Sequence, residues 1–108
     1  MARPDLYLSD VIKATPHKIQ GVLFYHDGFS FIARGTPTGL IIEALSDDGY
    51  AEARIETRNH SKTRYIASIS KGEDLADSDM SWHETLEGAM RQVCATMVEP
   101  PYLVENFN

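Results

Sequence analysis

From His17 to His26 the chain alternates, with Ile19, Gly21, Leu23 and Tyr25 at one set of positions and Lys18, Gln20, Val22, Phe24 and His26 at the other. A period of two residues is that of a β-strand. His26-Asp27-Gly28 then supplies turn chemistry, since Gly28 takes positive φ without a Cβ clash, and Phe29 to Arg34 resumes an extended run. The two runs predict a hairpin. After the breaker-rich Gly35 to Gly39, the apolar run Leu40 to Leu45 is bounded by Ser46-Asp47-Asp48-Gly49 and predicts a third strand. A fourth is expected over Tyr50 to Thr57, where Ala51, Ala53, Ile55 and Thr57 alternate with Tyr50, Glu52, Arg54 and Glu56. Beyond a turn at Asn59 to Lys62, Thr63 to Ser70 predicts a fifth, with Tyr65, Ala67 and Ile69 on one face. Leu6 to Lys13 fits a helical turn or an edge strand equally, and Thr15-Pro16 ends it.

The period changes near the C-terminus. Lys71 to Met80 is polar and reads as a loop. Ser81-Trp82-His83-Glu84 matches the capping box, in which a serine hydroxyl and a glutamate three residues on satisfy the orphan N–H groups of a helix start. Trp82, Leu86, Ala89, Met90, Val93 and Met97 then recur at helical spacing until Pro100-Pro101 stops the helix. Gly88 falls off that stripe, which suggests that another group approaches the backbone there. In the tail, Tyr102, Leu103, Val104 and Phe107 are apolar, so packing back on the sheet is favoured over a free end. The pattern specifies an α+β fold, an antiparallel β-meander of about five strands with one C-terminal amphipathic α-helix packed on the sheet. With short connections and 108 residues, a single domain over residues 1–108 is expected.

Composition adds a compartment and charge adds a polarity. Cys94 is the only cysteine, so neither an intrachain disulfide nor a cysteine-based zinc site can form, as in a reducing cytoplasmic setting. The first residues lack the apolar stretch of a signal peptide, and no window approaches the ~18 apolar residues of a membrane span. The net charge of −6 is unevenly spread. Residues 51–72 hold five basic and two acidic groups, whereas residues 73–108 hold one basic and eight acidic. Such asymmetry bears on partners rather than on fold.

Chemistry-bearing residues do not assemble into a motif. His17, His26, His60 and His83 are scattered, with none at metal-ligand spacing, and Cys94 falls on the apolar helical stripe, where a thiol is inert. The glycines punctuate strands instead of opening a strand-to-helix phosphate loop, and no serine sits in a G-x-S-x-G elbow. No cofactor or metal is expected.

Two charged surfaces remain. Glu73, Asp74, Asp77, Asp79, Glu84 and Glu87, with Trp82 nearby, suit a basic macromolecular partner, although acids near a helix start also complement its dipole. Arg54, Arg58, Lys62 and Arg64, with Lys71, suit nucleic acid, although Glu52 and Glu56 interleave with the arginines as in ordinary cross-strand pairing. The first reading leads. It describes a non-catalytic protein-interaction protein, of the inhibitor, antidote or accessory-factor kind that small acidic bacterial and phage proteins exemplify. A nucleic-acid-binding module is the alternative, and an enzyme with its site at a homodimer interface is the third.

Overall fold

The computed structural model describes residues 6–13, 19–45, 49–57, 64–71, 74–99, 102 and 104–105. Its elements in chain order are α1 (Leu8–Val11), β1 (Val22–His26), β2 (Phe29–Thr36), β3 (Gly39–Leu45), β4 (Gly49–Thr57), β5 (Tyr65–Lys71), β6 (Asp74–His83), α2 (Leu86–Thr96) and β7 (Val104–Glu105). Strands β1 to β6 form one antiparallel sheet in sequential order, and β7 pairs with the start of β4. The meander and the helix packed on it are as expected from the pattern. Val104 and Glu105 of the tail do return to the sheet. The turns expected at 46–48 and 59–62 lie outside the described residues.

The first hairpin shows how local chemistry fixes register. Asp27 and Gly28 both have positive φ, 49° and 86°, the pairing a two-residue type I′ turn demands. It sets His26 opposite Phe29, and hence Phe24 opposite Phe31, whose rings stack at 5.3 Å. Across the sheet the same parity places Phe24, Phe31, Ala33, Leu40, Ile42, Ala44, Ala51, Ala53, Ile55, Ala67 and Ile69 on one buried face. Small alanines on β4 and β5 leave room for Leu86, Ala89, Met90, Val93, Cys94 and Met97 of α2, which join them in one cluster with Leu8 and Val11 of α1. Burial of this apolar surface, at roughly 25 cal/mol per Å², is the main stabilising term.

Three expectations are corrected around residues 71–86. There are six main strands rather than five, because most of the polar stretch expected as a loop is β6, a ten-residue edge strand. An edge strand needs no apolar run and tolerates charge, so its composition resembles that of a loop. The helix begins at Leu86 and not at Ser81. Thr85, in extended backbone, is its N-cap, and its Oγ1 accepts from the Gly88 N–H at 3.0 Å. Ser81 lies in β6 opposite Ala67, so the Ser81/Glu84 capping box does not form. Trp82 accordingly is not on the buried helical stripe: it stands on β6 and is 60% exposed. Gly88 is indeed approached, since a Cβ there would lie 3.2 Å from Thr85 Oγ1 and 3.7 Å from His83 Nδ1.

Candidate interaction surface

Strand parity divides the residues of β6. Its register sets Ser81 against Ala67 and Asp79 against Ile69, both on the helix-covered face, whereas Trp82 pairs with Ile66 and Met80 with Ser68 on the other. Asp79 and Trp82 therefore lie on opposite faces of the edge strand. The sequence grouped them; the structure separates them. Asp74 and Asp77 are also within β6, and Glu73 lies outside the described residues.

Asp79 is exposed and accepts a hydrogen bond from the Tyr102 hydroxyl, which ties the tail to the edge strand. Glu84 and Glu87 are exposed beside the start of α2, where negative charge complements the helix dipole. Glu87 meets Arg91 at 3.4 Å one turn on. Such an exposed pair contributes only a few tenths of a kcal/mol. Neither Arg54 nor Arg64 forms an ion pair among the described residues, so these two cations do not neutralise the acids of β6 and α2.

The uncovered face has its own order. One row across the strands reads Leu23, Ile32, Glu43, Glu52. The next reads Arg34, Ile41, Arg54, Ser68, Met80, and a third includes Glu56, Ile66 and Trp82. Arg34 Nη2 donates to Glu43 Oε1 at 2.7 Å, joining the first two rows. Arg54 is exposed on this face, interleaved with Glu52 and Glu56 as the sequence indicates. Of its expected basic companions, Arg64 is exposed and precedes β5, and Arg58 and Lys62 lie outside the described residues. Leu23, Met80 and Trp82 are 48%, 53% and 60% exposed here.

The two described histidines, His26 on β1 and His83 on β6, lie on the two outer strands of the meander. His26 Nε2 lies 3.3 Å from Asp27 Oδ2 beside an open depression of about 410 Å³, which Tyr7, Tyr25 and Arg91 also line. His83 Nε2 is hydrogen-bonded at 2.7 Å to Ser81 Oγ, two residues away on the same strand face, a contact hidden from a reading that made Ser81 a cap. His17 and His60 fall outside the described residues. Cys94 is buried, and burial, aided by the Asp27 carboxylate, pushes its thiol up to about 12, far from the range of a reactive thiolate. Among the described residues no three His, Cys, Asp or Glu side chains are grouped to hold a metal, and no helix is long and apolar enough to cross a membrane. No protein-family model, curated protein or solved structure matches the chain.

Proposed function

We propose that this protein is a non-catalytic binding protein that engages a basic macromolecular partner at the acidic corner formed by edge strand β6 and the start of α2. The observation that supports the reading is that Asp79 on β6 and Glu84 and Glu87 beside the start of α2 are each exposed, while among the described residues neither Arg54 nor Arg64 forms an ion pair. Asp74 and Asp77 extend the acidic content along the same strand. A field of one sign on an edge accelerates encounter with an oppositely charged surface and adds little to folding stability. An inhibitor, antidote or accessory factor is a role of this kind.

The test begins with capture from a native lysate on the immobilised full chain and identification of what is retained. Association of the captured partner is then measured against wild type and an E84K/E87K variant at several salt concentrations. Slower association with a shallower salt dependence is the expected result, with a melting temperature lowered only by the lost helix-dipole and Glu87–Arg91 contributions, about 1–2 kcal/mol together. Equal association rates for the two proteins would remove the acidic corner from the binding surface. Retention of wild type on heparin in preference to an anion-exchange resin would favour the arginine-bearing sheet face and nucleic acid instead.

A further inference from the structure

Among the described residues the face of the sheet opposite α2 bears the large apolar side chains Leu23, Ile32, Ile41, Ile66, Met80 and Trp82, where a solvated antiparallel face ordinarily alternates to polar residues. Ile66 is only 8% exposed, although its cross-strand neighbour is the exposed Trp82. The charges on this face are also arranged against the interest of a lone chain. Glu43 and Glu52 stand directly opposite each other on β3 and β4, a like-charge pair that costs a few tenths of a kcal/mol. Arg34 relieves Glu43 alone. Among the described residues neither Glu52 nor Arg54 has an ion-pair partner.

We infer that this face docks against the same face of a second copy of the chain, giving a two-fold dimer with its sheets packed together and its helices outside. Three features select a second copy as the occupant. The charges balance closely, with Arg34 and Arg54 set among Glu43, Glu52 and Glu56, so a polyanion meets the acids and a basic protein meets the arginines. They are also segregated into an acidic row beside a basic row. A two-fold axis running across the strands between those rows lays each strand antiparallel on its own copy and sets the acidic row over the basic one. Arg54 of each chain then faces Glu52 of the other, near the middle of the six-strand sheet, where the ~30° rotation between aligned sheets displaces a pair least. Finally, six strands about 4.8 Å apart and about seven residues long present roughly 600 Å² per copy, or about 1,200 Å² in total, the lower bound of a specific interface. This face is separate from the acidic corner, so either reading can fail without the other.

Sedimentation equilibrium on the full chain should show a mass that rises with concentration from one 12.1 kDa chain towards two. Arg54→Glu and Glu52→Arg should each raise the dimer dissociation constant at least tenfold while shifting the melting of the dilute monomer only slightly, upward for Glu52→Arg, which removes the repulsion from Glu43. An equimolar mixture of the two variants should recover the two-chain mass, because one then carries acids in both rows and the other bases. No effect confined to one chain produces that rescue. Leu23→Ser, at an exposed position on β1, gives an independent loss of dimer that does not depend on charge. A wild-type protein that stays monomeric up to millimolar concentration overturns the inference. So does a dimer that both charge variants leave intact, and so does a mixture that remains monomeric.

Discussion

The two faces of the sheet are built from the same strands and differ in what alternate residues meet. On the covered face, Phe31, Ala33, Ile42, Ala53 and Ile55 are fully or nearly fully buried, and the side chains of α2 fill the space left by alanines. On the open face the intervening positions Ile32, Arg34, Ile41, Glu43, Glu52 and Arg54 mix apolar with charged groups. Apolar content alone therefore does not identify the core here. What separates the faces is whether the apolar positions are continuous across register partners and have a second layer to receive them.

Substitutions should therefore have very different costs on the two sides. The largest effect is expected at the centre of the covered face: Met90→Ala removes a fully buried side chain between helix and sheet and should cost about 2–5 kcal/mol in denaturant unfolding, as should Leu86→Ala towards the lower end. Next is Gly39, where β3 begins. A methyl group there would collide with the Ile55 carbonyl oxygen and lie 2.9 Å from the Glu56 Cα, so Gly39→Ala should cost roughly 1–3 kcal/mol by forcing two strands apart.

Cys94 tests the dryness of the covered face by titration. Its thiol ionises near 9 when exposed and at about 12 in the fold, so the folded state retains a proton that the unfolded chain has lost. Stability should then be unaffected below pH 9 and fall as pH rises from about 9 to 12, by up to about 1.4 kcal/mol per pH unit. The Cys94→Ala variant should lose that part of the slope, measurable by urea unfolding at pH 8 and pH 10.

A smaller effect locates the helix start, and with it the face on which Trp82 falls. Thr85→Ala should cost about 1 kcal/mol through loss of the cap to the Gly88 N–H, whereas Ser81→Ala removes only the half-buried contact to His83 and should cost less. The reverse order would restore the helix to Ser81. The smallest effect belongs to the open face: Trp82→Ser should change the stability of the dilute protein by less than about 0.5 kcal/mol, despite removing the largest side chain in the molecule.

Most of the architecture was legible because it rests on short-range signals. The Asp27-Gly28 turn, the alternation of Ala51, Ala53 and Ile55 with charged residues, and the Leu86, Met90, Val93, Met97 stripe each constrain their own segment. Strand β6 was not legible, since Asp74 to Asp79 contains little that distinguishes an edge strand from a polar loop. Ser81 and Glu84 then matched a capping box by spacing, and Trp82 happened to stand four residues before Leu86, extending a helical stripe that ends at Leu86. The charge segregation was visible in sequence, but not the faces on which it falls. That Trp82 leaves Asp79, and that Glu43 and Glu52 form one row beside Arg34 and Arg54, depends on cross-strand register, which no local pattern records.

Trp82 is the only tryptophan, which makes it a reporter for the division between the two faces. Its fluorescence can be followed during quenching by a neutral quencher such as acrylamide, over a dilution series of the folded protein. Emission typical of a hydrated indole and efficient quenching are expected at high dilution, with both the quenching and the red-shifted emission diminishing as concentration rises and the open faces meet. A blue-shifted, poorly quenched tryptophan at every dilution would place Trp82 in the core beneath the helix and contradict the assignment of β6, the start of α2 and the open face together.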